Sequence, residues 1–221
     1  MSYFDYLAAF GPRLLSGAVV TVQLTVLSAA LAIAIAVLMG LMRLSDNPLT
    51  RGTATVYIEF FRGTSLLVQL FWIFFVLPLF GLTLEKFTAG VIAVGMNLGA
   101  YGAEVVRGAI QAVPKGQHEA ALALNMSAAQ RMRRIILPQA LLIMLPPWGN
   151  LMIELLKGTA LVALIAVPDL MFQVKQINGT TFLSAQSFGT ALIIYYLMAR
   201  FAVTPFMRWL ERIMQRRLGR R

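Results

Sequence analysis

The chain has no cysteine and a single histidine, His118, among 221 residues. Disulfides and thiolate chemistry are therefore excluded, and one imidazole supplies neither a metal site nor a nucleophilic triad. His118 reads as the polar surface of a helix, not as a general base. Charge is scarce as well. Asp, Glu, Lys and Arg make up 13% of the residues, against roughly 25% in an ordinary soluble domain. No G-x-x-x-x-G-K-[ST] loop is present, so nothing in the chain cradles a nucleotide phosphate. There is no internal repeat and no low-complexity segment. The opening MSYFDYLAAFGPRLL lacks a basic n-region and a small-residue cleavage site, which predicts no cleaved signal peptide.

What remains is mostly apolar: 59% of the chain, gathered in blocks of bilayer-spanning length. This predicts an all-α membrane protein with a single transmembrane domain over 1–221 and five spans, at about 17–42, 65–82, 87–113, 139–156 and 184–207. Aromatics at 3, 4, 6 and 10 predict a short interfacial helix ahead of the first span. Thr21, Gln23, Thr25 and Ser28 turn part of that span towards other helices. Arg43 to Thr64 reads as a connector with an Asn47-Pro48 turn. Pro78 kinks or ends the second span, and Pro146-Pro147 interrupts the fourth. Gly158 to Pro168 is apolar but too short to span, and Asp169 to Phe182 is polar with an Asn178-Gly179 turn. Together they predict re-entrant or external short helices.

The net charge is +10. In a soluble protein that balance would point to nucleic acid. Here the bases sit at the ends of apolar spans, which fits orientation in the membrane and contact with anionic lipid, with no nucleic-acid partner. The Arg43–Arg62 connector, the Arg107–Arg134 loop and the tail hold most of the 19 bases, while Arg13, Lys86, Lys157 and Lys175 fall on the other side. The asymmetry predicts an external N-terminus and a cytoplasmic C-terminus.

Ionisable groups inside apolar sequence need a partner or a watery cavity. Asn97, Tyr101, Glu104 and Arg107 share one helical face, and Gly95 and Gly99 form a small-xxx-small pair for close helix packing. Glu154 and Lys157 stand three apart beyond Trp148, Gly149 and Asn150. The structural reading is two local ion pairs, Glu104 with Arg107 and Glu154 with Lys157. The functional reading is a solute path lined by Asn97, Tyr101, Glu104, Trp148, Asn150, Glu154 and Lys157. In it the acids and aromatic faces meet a cationic group, and the amides orient a carboxylate.

Between the third and fourth spans lies QHEAALALNMSAAQRMRRIILP, from Gln117 to Pro138. Its chemistry predicts a helix, a tight turn at Asn125 and a second helix opened by a Ser127–Gln130 capping box. Arg131, Arg133 and Arg134 crowd the second helix, either snorkelling at lipid or contacting a protein. On the residues alone, the stretch is an amphipathic surface hairpin.

The same stretch resembles the EAA loop of binding-protein-dependent ABC importer permeases. Glu119, Ala120, Ala121, Ile135, Leu137 and Pro138 stand at that pattern's spacings, with Asn125 where the family has Gly. FFRGTSLLVQLF resembles a segment of the polar-amino-acid branch, with Ser65 in place of the usual Pro. ALNMS, PPWGN and IELLKGTAL are most similar to permease subunits for ectoine and hydroxyectoine. The resemblance implies a type I (MetI-like) permease fold in the bacterial inner membrane. The implied role is a permease subunit importing a polar amino acid or a compatible solute. The loop 114–138 would be the coupling element, acting through Glu119, Ala120, Ala121, Asn125, Ile135, Leu137 and Pro138. Implied partners are a second permease, same or sister, two cytoplasmic ATPases that bind ATP and Mg, and an extracytoplasmic solute-binding protein. The chain itself would carry no cofactor and no catalytic residue. The rival readings are a secondary transporter or channel without an ATPase, against which the missing inverted repeat weighs, and an intramembrane enzyme, against which the missing catalytic set weighs.

Overall fold

The structure is a computed structural model that describes residues 2–218. Arg220 and Arg221 of the basic tail lie outside the described residues. Within them all regular structure is helical.

Helix α1, Tyr3–Arg43, opens on a reciprocal capping box. The Asp5 amide donates to Ser2 Oγ at 3.2 Å, and the Ser2 amide donates to Asp5 Oδ2 at 3.0 Å. This cap starts the helix at once, so the N-terminal aromatics are not a separate interfacial helix. They are the first turns of α1, and Tyr6 is fully buried, its hydroxyl donating to Ser187 Oγ at 3.2 Å.

Gly17, Thr21, Leu24, Ser28, Ala32, Ala36 and Gly40 are buried at intervals of three or four along α1, which makes one face. Its first part, Gly17 and Thr21, meets residues 169–173, and from Leu24 onward it meets α4, Lys86–Gln111, the most deeply buried of the long apolar helices. Small residues let the two backbones approach closely. A Cβ added at Gly99 would lie 2.8 Å from Ile35, and one at Gly102 would lie 2.7 Å from the Trp148 ring. The central core gathers around this contact: Ala32, Ala36, Leu98, Ile110, Trp148 and Leu155.

The expected connector is itself helical. α2, Pro48–Gly63, starts with Asn47 Oδ1 accepting from the Leu49 amide at 2.9 Å and with proline in its first turn. Asn-Pro is thus a helix start here, because proline's missing donor is free of cost at that position. α2 then bends by 104° into α3, Leu66–Phe71, which runs on through irregular turns to Phe80. Among the described residues four helices are long and apolar enough to cross a membrane, and a fifth crossing exists only if this bent pair counts as one.

The three π turns among the described residues share a cause. They cover Trp72–Val76, Met132–Ile136 and Met198–Val203, and Pro78, Pro138 and Pro205 each follow by two residues. A proline ring collides with the carbonyl four residues back and offers no N–H, so the turn before it widens.

Two short helices, α5 (Lys115–Ala123) and α6 (Ala128–Arg131), form the loop before α7, Leu137–Gly158. α7 continues as a 3₁₀ turn over Thr159–Ile165. Pro146-Pro147 does not interrupt it; both prolines are exposed, so their rings project away from the packed side. α8, Leu170–Thr181, is helical through Asn178-Gly179, and the left-handed stop comes later, at Phe182 (φ 57°). α9, Ser184–Leu197, leads through the third π turn into α10, Thr204–Leu218.

Candidate functional site

The loop from Gln117 to Pro138 is built as an elbow. α5 ends in a complete Schellman motif. Asn125 is left-handed (φ 52°), its amide donates to Leu122 O at 2.9 Å, and the Met126 amide donates to Ala121 O at 3.1 Å. Two residues later the next helix is capped. The Gln130 amide donates to Ser127 Oγ at 3.3 Å, and the Ser127 amide donates to Gln130 Oε1 at 3.0 Å. The Ala121 and Leu122 carbonyls at the end of α5 and the Ser127 and Gln130 amides at the start of the next helix thus find partners inside the turn, which stiffens the elbow. Ala121 is buried beneath it, while Glu119, Ala120 and Asn125 face outward. Leu122 and Leu124 are 56% and 75% exposed beside Glu119. Ile135 and Pro138 are half-buried and Leu137 exposed, where the widened turn hands the chain to α7.

The candidate solute-path residues fall into two separate groups. On α4, Asn97 is buried, and its Nδ2 donates to Phe61 O at 3.1 Å and to Gln69 Oε1 at 3.0 Å. The Gln69 amide in turn donates to Thr64 Oγ1 at 2.6 Å and to Phe61 O at 3.0 Å. These bonds clasp the α2–α3 bend. Tyr101 donates to Arg62 O at 3.4 Å, with the Arg62 guanidinium 5.4 Å above its ring. Glu104 accepts from Arg107 Nη2 at 2.7 Å and Nε at 3.0 Å, and Arg43 Nε stands 3.9 Å away. Arg43 also reaches Glu59 at 3.9 Å and bonds Thr55. The α4 polar face is thus met by α1 and α2.

On α7 the picture differs. Asn150, Glu154 and Lys157 are all exposed, at i, i+4 and i+7 along one stripe. The expected ion pair between Glu154 and Lys157 is absent: among the described residues the salt bridges involve only Arg43, Arg107, Glu59 and Glu104. Both side chains point outward with nothing to hold them together. Trp148 is 8% exposed and packs on Gly102, away from that stripe.

Four contributors are not signalled by the sequence. Gln69 is visible there only as the lone polar residue in LLVQLF. Arg43 and Arg62 read as membrane-end bases, and no spacing signals their contacts with α4. The fourth is Asp169, fully buried at the start of α8. Its Oδ1 accepts from the Phe172 amide at 2.9 Å and its Oδ2 from Tyr195 Oη at 3.3 Å. Burial pushes its carboxyl up to about 6, against the pull of these bonds.

The arrangement is therefore a helical membrane unit with a stiff polar elbow and an exposed polar stripe on one span, without an ion pair among the described residues. Known proteins match it over most of its length. The family model described as "binding-protein-dependent transport system inner membrane component" matches residues 32–216. A probable amino-acid ABC transporter permease of Sinorhizobium fredii is 44% identical, covering 100% of this chain and 93% of its own. The L-cystine transport system permease of Bacillus subtilis is 36% identical over 96% of this chain and 89% of its own. The glutamine transport system permease of Escherichia coli is 38% identical over 96% of this chain and 98% of its own. A crystal structure of an amino acid ABC transporter superposes with a TM-score of 0.88 at 36% identity, covering 96% of this chain and 98% of that one. The MetNI methionine ABC transporter shares the fold, with a TM-score of 0.73 at 20% identity over 90% of this chain and 97% of that one. The helical architecture is accordingly the MetI-like type I permease fold. Matched across residues 32–216 and to relatives along nearly its whole length, the chain belongs to the family of binding-protein-dependent transport system inner membrane components.

Proposed function

We propose that the chain is the permease subunit of an ATP-driven importer for a polar amino acid or a similarly compact zwitterion. It sits as a multi-pass protein in the bacterial inner membrane, with the elbow and the C-terminus in the cytoplasm. The observation that carries this is the elbow: a turn capped from both sides, with two exposed leucines and Glu119 on its outer surface. Exposed leucines in so rigid a frame serve a protein that docks on them. In this reading the docked protein is one of two ATPase subunits, which bind the ATP and Mg that this chain does not. Their closure pushes the elbow, and α7 carries the push into the membrane. A second permease, same or sister, completes the path, and a solute-binding protein delivers cargo from outside.

The α7 stripe is the part of the path that this chain contributes. Glu154 suits the ammonium of an amino acid and Lys157 its carboxylate, with Asn150 donating beside them. Among the described residues neither charge has an ionic partner. The α4 group, Asn97, Tyr101 and Glu104, braces the bundle from behind, and Trp148 supports it through Gly102. The names of the relatives support amino acids as the solute class. The stretches that resemble ectoine permeases place ectoine and hydroxyectoine in the same panel of candidates.

The test is uptake into vesicles by the reconstituted complex, with and without ATP and the binding protein, across that panel. Uptake that needs both is expected; uptake with neither ATP nor an ATPase would make this a secondary transporter. Glu119→Lys and Ala121→Asp are expected to leave the ATPase free-running and abolish uptake. Glu154→Gln is expected to weaken solute capture by about tenfold while ATP hydrolysis persists, the scale of one lost charge-assisted hydrogen bond. Unchanged capture would remove the stripe from the path.

A further inference from the structure

We infer that α10 is a docking surface for anionic phospholipid headgroups, read by Arg208, Arg212 and Arg216 beside Trp209. α9 and α10 form one continuous run, Ser184–Arg216, of 33 residues. At about 1.5 Å per residue it is roughly 50 Å long, well beyond the ~30 Å hydrocarbon core. Its last three turns therefore emerge at the lipid surface.

The three arginines recur every four residues, so they share one side of the helix, and all three are exposed. Among the described residues no ion pair engages them. Glu211, the acid within α10, accepts instead from Gln215 Nε2 at 3.2 Å. A second side belongs to the protein, where Met207 and Leu210 line an apolar groove of about 540 Å³ against α7. Between the two lie Phe206 and Trp209, stacked at 6.0 Å and 58% and 53% exposed. An exposed indole and phenyl beside a row of guanidinium groups match the headgroup region of a bilayer in depth and in charge. A soluble acidic partner would leave the aromatic pair in water. The inference rests only on the chain being in a membrane, not on its solute or its motor.

The test uses the full-length chain in phosphatidylcholine nanodiscs carrying a fixed fraction of brominated lipid, either phosphatidylglycerol or phosphatidylcholine. Trp209 emission is isolated as the difference between wild type and Trp209→Phe. Brominated phosphatidylglycerol is expected to quench Trp209 several-fold more than brominated phosphatidylcholine. Each of Arg208→Gln, Arg212→Gln and Arg216→Gln is expected to cut that excess by up to about five-fold. The triple glutamine variant loses the excess but keeps its quenching by phosphatidylcholine, which shows the helix still seated. The triple lysine variant retains the excess, and raised salt shrinks it in wild type. Equal quenching by both lipids, an excess that survives triple replacement or high salt, or no quenching at all would each overturn the inference. So would displacement by millimolar inorganic phosphate, which would make a free anion the ligand.

Discussion

Gly99 and Gly108 lie on the same helix and have opposite surroundings. Around Gly99 the Ile35 side chain would stand 2.8 Å from an added Cβ and the Ala32 carbonyl 3.3 Å, whereas nothing lies within 4 Å of Gly108. Gly99→Val is expected to destabilise by about 1–3 kcal/mol through overpacking. Gly108→Ala is expected to be neutral or to stabilise by about 0.4–1 kcal/mol, since alanine has less freedom to lose. Thermal unfolding in detergent measures both, and equal effects would mean that α1 does not press on α4 as described. Asp169 is the other residue with a distinct expectation. Its carboxyl is raised in the folded state from its ordinary 3.8 to about 6. Its contribution to stability is thus fully present below the unfolded value and is lost as pH rises through about 6. Asp169→Asn removes the ionisation and can still cap α8. The variant should therefore gain in melting temperature relative to wild type on going from about pH 5 to about pH 7.5. A difference that is flat with pH would show that Asp169 ionises freely.

Helices in this chain are decided at their ends. The α2–α3 bend is held by side-chain amides, because a chain that turns through 104° leaves carbonyls at Phe61 and Thr64 without helical donors. Gln69→Leu is expected to cost about 1–3 kcal/mol by stranding them. Hydrogen exchange should quicken around Thr64 before any other part of the bundle loosens, and uniform loosening would argue against a local clasp. At the elbow, Ser127→Ala removes one half of the capping box and should weaken the second helix by about 1 kcal/mol. If stiffness transmits the push, uptake per ATP falls while ATP hydrolysis is kept. An unchanged ratio would separate the cap from coupling. The cause of each π turn is local as well, since each widened turn is followed by its proline at the same offset.

The molecule as a whole is a bundle whose α4 is enclosed while α9–α10 is nearly bare, only 11% of its most apolar window being buried inside the chain. Such an uneven distribution is what a subunit of a larger membrane assembly shows, with lipid or another protein completing the coat. The proposed orientation is tested by accessibility: a cysteine introduced at Gly116, in a chain with no other thiol, should react only with membrane-permeant reagents in intact cells. Labelling by an impermeant reagent would place the elbow outside and sink the coupling proposal. Over the same scale the apolar blocks foretold helices and their order, since bilayer thickness imposes a length on any span. They did not foretell that α2 is helical, that the second crossing is bent, or that Pro146-Pro147 passes within a helix. Those outcomes depend on which side of each helix is covered.

Sequence alone determined the elbow, because a left-handed Asn125, a Ser127–Gln130 cap and helix-favouring flanks act over a few residues and need no distant partner. It also placed Glu104 and Arg107 less than one turn apart, within reach of each other. Only tertiary structure decided which polar groups are spoken for. Gln69 meets Asn97 across 28 positions of chain, and Arg43 reaches Glu104 across 61, from one helix to another. Glu154 and Lys157, equally close in sequence to each other as Glu104 and Arg107, remain apart and exposed. Local spacing permits an ion pair, but the packing of neighbouring helices determines whether the surroundings and nearby charges strengthen its attraction enough to hold it.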